Sequence, residues 1–289
     1  MSGSGERKPG TAQWRVCDVE EAKRWISVPL DTDDKYSRGV LGAITGSDQY
    51  PGAAVLGVDA AVRTGVGMVR YVGGTRAQTL VLQRRPEVVT GMGRVQAWLV
   101  GSGLDSEHRD ESTTSSIVRA FSDGVPTVVD SGALDLIDRL TGPAVITPHF
   151  RELSAVLARR EIAASPEEIA ERAGYWAERT SDLLGLTVLL KGHTTYVASP
   201  GGERLTAQAG PSWLATAGSG DVLAGVLGAL AATHAGEIAK DGELFAPVAV
   251  AAAVLHGLAA QRASAGGPIA SLDVAEAMPA LIAGLLGER

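Results

Sequence analysis

The feature that most constrains this chain is an alternation of two periods. Short apolar runs at residues 39–45, 68–72, 98–100, 127–130, 144–147 and 186–190 have the length and β-branched content of buried strands. Longer segments at 53–63, 134–140 and 152–160 lie between them and read as helices. A first helix is expected at about 19–25. Another runs from Ser165 to about residue 179, with Ser165 as N-cap, Pro166 at the first helical position and Glu168 three residues after the cap. Buried strands that alternate with helices pair in parallel, because a helical crossover returns the chain to the same end of the sheet. The predicted fold is therefore α/β: a doubly wound, largely parallel sheet with helices on both faces.

The alternation changes twice. Residues 194–199 and 204–208 flank Pro-Gly-Gly-Glu at 200–203 and read as a hairpin. After Gly220, helices are expected at 222–233, 247–263 and 274–286 without an intervening strand, as a helical cap. No repeat or internal composition break divides the chain, so residues 14–289 are expected to form one domain behind a disordered or vector-derived tail at 1–13.

Composition removes several functional classes. The net charge is −7, which argues against a protein that binds nucleic acid by displacing counterions from phosphates. Anionic small molecules stay open, because the chain has 36 glycines and backbone N–H groups at helix N-termini bind phosphate without net positive charge. Cys17 is the only cysteine, so no intrachain disulfide, Cys-zinc cluster or CxxC pair can form, and a reducing cytoplasm fits. The apolar stretch at 244–260 is Ala-rich and interrupted by Pro247 and His256, so it reads as a buried helix and no membrane is expected.

In a doubly wound sheet, ligands bind at the carboxyl ends of the strands. Five segments follow predicted strands or open a helix there: TGSDQYPGA (45–53), GSGL (101–104), TPHFRE (147–152), KGHTT (191–195) and ATAGSGD (215–221). In the last, Gly218, Ser219 and Gly220 precede a helix and can aim N–H groups at one anion, with Asp221 beside them in the first turn. A carboxylate next to an anion hole makes chemical sense if it takes a proton from a hydroxyl that attacks a phosphoryl group. The same residues also fit a plain reading, in which Asp221 complements the helix dipole and the glycines form a tight turn.

GSGL falls short of a dinucleotide fingerprint because Ser106 stands where GxGxxG needs its third glycine, which leaves a glycine turn open to a ligand or a simple strand end. His149 can donate to a ligand, cap a helix or sit in the core, and Lys191 can meet phosphate or sit solvated at a strand end. There is no Walker A sequence, no HExxH and no GxSxG, so P-loop, zinc-protease and α/β-hydrolase readings are weak.

Taken together, RGVLGAITGSDQYPGAAVLGVDAAVRTGVGMV (38–69), TPHFRE, LLKGHTTYV (189–197), AGPSWLATAGSGDVLAGVLGAL (209–230) and LHGLAA (255–260) resemble the ribokinase-like superfamily. Within it they resemble the ADP/ATP-dependent NAD(P)H-hydrate dehydratases, from about Lys35 to Pro279. Three departures touch the substrate loops: Phe150-Arg151 stands for the family's Pro-Gly, Ser131-Gly132 for a small acidic pair, and Asp105 for a glycine.

The resemblance implies dehydration of the S form of hydrated NADH or NADPH, driven by ADP or ATP as co-substrate with Mg²⁺. It implies Asp221 as catalytic base with Gly218, Ser219 and Gly220 around the moving phosphoryl group. Ala53, Gly103, His149 and Asp221 would bind the hydrated dinucleotide; Lys191, Gly192, His193, Thr194, Thr195 and Gly220 would bind the adenine nucleotide. No residue is expected as a dedicated metal ligand. The expected assembly is a homo-oligomer, a tetramer, in the cytoplasm, without the epimerase domain to which family members are often fused. The alternatives are a kinase of the same superfamily that phosphorylates a vitamin-precursor alcohol, and a catalytically silent nucleotide sensor.

Overall fold

A computed structural model describes residues 13–208 and 210–287. The expected tail at 1–13 lies outside the described residues except for Gln13. The strands are β1 (Arg15–Val16), β2 (Val40–Ile44), β3 (Met68–Tyr71), β4 (Val89–Thr90), β5 (Ala97–Val100), β6 (Thr127–Val129), β7 (Ala144–Ile146), β8 (Thr187–Leu190), β9 (Thr194–Ala198) and β10 (Arg204–Gln208). They form one sheet in the order β1-β10-β9-β8-β7-β6-β5-β2-β3-β4. Only β9 among them runs against the rest, pairing antiparallel with both β8 and β10. The predicted parallel sheet and its single hairpin are both present.

The helices are α1 (Val19–Lys23), α2 (Pro51–Thr64), α3 (Thr75–Arg84), α4 (Glu111–Ser122), α5 (Phe150–Ala158), α6 (Pro166–Glu171), α7 (Ala173–Leu184), α8 (Ser219–Thr233), α9 (Ala235–Ile238), α10 (Phe245–Ser264) and α11 (Ser271–Gly287). Two hydrophobic cores form, one on each face of the sheet. Residues of α1 to α3 and α8 to α11 fill the first; α4 to α7 and a 3₁₀ segment, Ser131–Arg139, fill the second. The chain is thus doubly wound as the alternation requires.

Several elements differ from the sequence reading. The helix expected at 134–140 is the 3₁₀ segment Ser131–Arg139. Ser165 does cap its helix through a capping box with Glu168, but the helix breaks at Arg172, whose φ of −129° and ψ of 42° are not helical. The C-terminal helices do not form a separate cap: α8 packs on β2, β5 and β6, and α10 on β7 to β10. They complete the first face of the sheet. Gly42, paired with Trp98 across β2 and β5, leaves room for the indole ring, which a side chain at position 42 would overlap.

Chain order and sheet order diverge at one place. From β2 the chain proceeds outward to β3 and β4, then returns to lay β5 on the other side of β2 and continues to β8. The carboxyl ends of β2 and β5 therefore flank a switch point, the place where α/β sheets bind ligands in a crevice.

Candidate active site

The ends of β2 and β5 are joined by a Gly46 N–H that donates to the Ser102 carbonyl over 2.7 Å. Gly101 and Gly103 have φ of 115° and 67°, in the left-handed region that favours glycine. The residues predicted from GSGL and SDQYPGA meet here, because a Cβ on Gly103 would overlap the Ala53 side chain and lie 3.2 Å from the Gly46 Cα. Ala53 sits in the first turn of α2. Small residues from the two segments therefore pack together at the ends of β2 and β5.

A charged cluster occupies the next strand ends. Asp130, directly after β6, is buried at 2% exposure and accepts hydrogen bonds from Ser102 Oγ (2.9 Å), Thr147 Oγ1 (2.7 Å) and Lys191 Nζ (2.8 Å). Burial alone would raise its pKa, but the Lys191 ammonium and these donors hold it below the ordinary carboxylate value. Burial likewise opposes charge on Lys191, and Asp130 with Glu152 overcomes it and raises its pKa. Glu152 Oε2 lies 3.8 Å from Lys191 Nζ. Lys191 is thus neither solvated nor free: it is held against Asp130 and points along the site toward Gly220, where a Cβ would lie 3.6 Å from Nζ.

Gly218 caps α8 with φ of 88°, and Ser219, Gly220 and Asp221 open the helix. In this first turn the Ser219 N–H donates to the Thr216 carbonyl over 3.4 Å, which leaves the Gly218 and Gly220 N–H groups without a carbonyl partner among the described residues. Asp221 is half-buried beside them. Burial, the Asp130 charge and Glu152 outweigh Lys191 and push its pKa up to about 7. That value suits a group that must hold or release a proton near neutrality. His256, from the LHGLAA run of α10, lies behind the same turn against the Ser219 backbone; burial lowers its pKa to about 4, so it is neutral at physiological pH.

His149 adopts the capping role that the sequence left open. Its Nδ1 accepts the Glu152 N–H over 3.2 Å and Glu152 returns the bond to the His149 N–H over 2.8 Å, a capping box that opens α5. The His149 side chain is still half-exposed at the carboxyl end of β7. Gly192 packs on the Phe150 ring, so one departure from the family pattern supports the turn after β8. His193 is exposed in that turn, while Thr194 and Thr195 lie in β9 opposite Gln208 and Ala207. The structure thus gathers Lys191, Gly220 and Asp221 into one cluster and Ala53 with Gly103 into another, while Thr194 and Thr195 belong to the adjoining hairpin.

Asp130 and Glu152 were not singled out from the sequence, although both organise the site. A carboxylate closing the apolar strand Thr127–Val129 was the available signal, since buried Asp is rare without a partner. Ser131 was noted only as a departure. It takes a left-handed φ of 38°, unusual for a residue with a side chain, and its hydroxyl donates to Glu152 (2.9 Å).

The sheet order and the glycine-opened helix at the carboxyl ends of the strands define a ribokinase-like fold. A ribokinase-like superfamily protein of Enterococcus faecalis has the same architecture, with a TM-score of 0.77 over 94% of this chain and 96% of that one at 22% identity. An ADP/ATP-dependent NAD(P)H-hydrate dehydratase of Bacillus subtilis, crystallised with ATP/Mg²⁺, superposes with a TM-score of 0.81 over 94% of this chain and 99% of that one at 21% identity. The sequence places the chain more narrowly: it belongs to the NAD(P)H-hydrate dehydratase family, whose profile matches residues 41–279.

Among curated relatives, the ADP-dependent (S)-NAD(P)H-hydrate dehydratase of Neisseria meningitidis serogroup B is 32% identical over 90% of this chain and 87% of its own. The bifunctional NAD(P)H-hydrate repair enzyme Nnr of Mycobacterium tuberculosis is 43% identical over 74% of this chain but only 45% of its own length. The chain thus spans about half the length of the mycobacterial relative.

Proposed function

We propose that this chain catalyses the ADP- or ATP-dependent dehydration of the S form of hydrated NADH and NADPH, regenerating the reduced dinucleotide. Family membership supports the reaction class, and the Asp221 carboxyl beside the opening turn of α8 is the observation that supports the mechanism. Asp221 takes the proton of the ring hydroxyl as that oxygen attacks the terminal phosphoryl group of the nucleotide, and the bridging P–O bond breaks to release AMP from ADP or ADP from ATP. Hydroxide leaves poorly and phosphate leaves readily. Loss of phosphate and of a neighbouring ring proton restores the reduced nicotinamide.

The N–H groups of Gly218, Ser219 and Gly220 stabilise charge on the phosphoryl group as it moves. Lys191 is held by Asp130 next to Gly220, where its positive charge favours the same phosphates. The dinucleotide lies in the crevice against Ala53 and Gly103, with His149 at its edge. The adenine nucleotide lies along residues 191–195 and Gly220.

Mg²⁺ would supply charge neutralisation on the nucleotide. Among the described residues no three His, Cys, Asp or Glu side chains gather as a metal cage, and the nucleotide's own phosphates would furnish most of the coordination. The family resemblance supports a cytoplasmic homotetramer, which light scattering on the purified protein tests. The helix at Gly242–Ser264 is apolar and long enough to cross a membrane, but 72% of its apolar window is buried in the core.

The kinase alternative shares the fold: hydroxyethylthiazole kinase of Pyrococcus horikoshii superposes with a TM-score of 0.59 at 18% identity. One assay separates the two. Incubated with hydrated NADH, ADP or ATP and Mg²⁺, the protein is expected to restore NADH absorbance. A stable phosphorylated product with no return of absorbance would contradict the dehydratase reading.

A further inference from the structure

The turn that opens α8 is fastened from a distant part of the chain. Ser271, the first residue of α11, is buried at 4% exposure, and its hydroxyl donates to the Ala217 carbonyl over 2.7 Å. Its own position is fixed, because the preceding Ala270 N–H donates to the Asp273 carboxylate over 2.8 Å. On the other side of the turn, Leu56 of α2 packs so closely on Gly218 that a side chain at 218 would overlap it.

A trans peptide carries its C=O and N–H in opposite directions. Ser271 therefore sets the direction of the Gly218 N–H when it pins the Ala217 carbonyl on the side of α11. The peptide between Ala217 and Gly218 has little intrinsic reason to stay that way, since glycine accepts both hands of φ and the peptide can rotate. In the rotated state a carbonyl oxygen would take the place of a donor, beside a ligand that carries negative charge.

We propose that Ser271 is a positioning residue, which keeps the Gly218 N–H turned toward the transferring phosphoryl group by holding the Ala217 carbonyl. The proposal rests on the dehydratase reading for its chemistry, but the orientation of the turn can be measured without turnover. Ser264 supplies a matched control: it is also buried, at 7%, and its hydroxyl also donates to a backbone carbonyl, that of Gly267, at the far end of α10.

The test compares Ser271→Ala, Ser271→Thr and Ser264→Ala with wild type. Ser271→Ala is expected to lower kcat about three- to tenfold, the worth of one hydrogen bond, while KM for the nucleotide stays within about twofold. Ser271→Thr keeps the hydroxyl and is expected to recover most of the rate. Ser264→Ala is expected to lose a similar amount of thermal stability and no activity.

Hydrogen exchange of residues 216–222 with and without ADP supplies the second readout. ADP is expected to protect this segment in wild type and in Ser264→Ala, and to protect it less in Ser271→Ala. An inactive wild type would contradict the dehydratase reading and leave the exchange comparison to decide the role of Ser271. Unchanged protection and unchanged kcat in Ser271→Ala, or equal loss of kcat in Ser271→Ala and Ser264→Ala, would overturn the proposal.

Discussion

Along β5, Ala97 and Leu99 face one side of the sheet and Trp98 and Val100 the other, and the two layers they meet are built by different means. On the first face α8 and α10 are mostly Ala, Val, Leu and Gly, and α2 crosses α8 so closely that a Cβ on Gly225 would overlap the Gly57 carbonyl. On the second face Trp98, Ile117, Phe121, Leu153, Leu157 and Ile169 fill the space between the sheet and shorter helices. The small-residue face brings backbones together and holds the opening turn of α8 between α2 and α11. The large-residue face is filled by side chains. It contributes Glu152 and His149 to the site from the start of α5.

This contrast predicts that one face fails by subtraction and the other by addition. Phe121→Ala, which empties part of the large-residue core, is expected to lower unfolding free energy by about 3–5 kcal/mol, measured by denaturant melts. Gly225→Ala adds a single methyl and is expected to cost about 1–3 kcal/mol, because the obstacle is backbone that cannot rotate away. A neutral or stabilising Gly225→Ala would show that the α2–α8 crossing yields freely, and the contrast between faces would lose its basis.

An effect that depends on pH is expected at Asp221. An aspartate with an ordinary value of 3.8 when unfolded and about 7 when folded keeps a proton in the native state across that interval. Its contribution to stability is greatest at or below the unfolded value and is lost as pH rises through about 7. Asp130 has the opposite sign, since its lowered pKa stabilises the fold above the carboxylate range and is lost on acidification. The difference between wild type and Asp221→Asn isolates the first effect: the variant is expected to gain relative stability from pH 4 to pH 7. A constant difference across that range would place the Asp221 carboxyl at its ordinary value.

The sheet was legible because each buried strand announces itself as a short apolar run between turn residues, and the capping box at Ser165 because its side chains act locally. The short edge strands β1 and β4 have two residues each and exposed side chains, so no period can form. The break at Arg172 and the 3₁₀ course of Ser131–Arg139 carry no proline or other local stop signal in the sequence. Within the site, glycines and Asp221 were readable from their order before a helix. Asp130 and Glu152 were not, because their meaning comes from Lys191, which is 61 residues beyond Asp130 in the chain. His149 was readable as a residue of either role, and only the Glu152 N–H beside it decides that it caps α5.

Removal of the hydroxyl proton by Asp221 is read from turnover by Asp221→Asn. The asparagine keeps the size of the side chain and removes the base. Hydrated NADH is expected to stay unconverted with ADP or ATP, while nucleotide binding measured by calorimetry persists. An Asp221→Asn protein that regenerates NADH at the wild-type rate would contradict it.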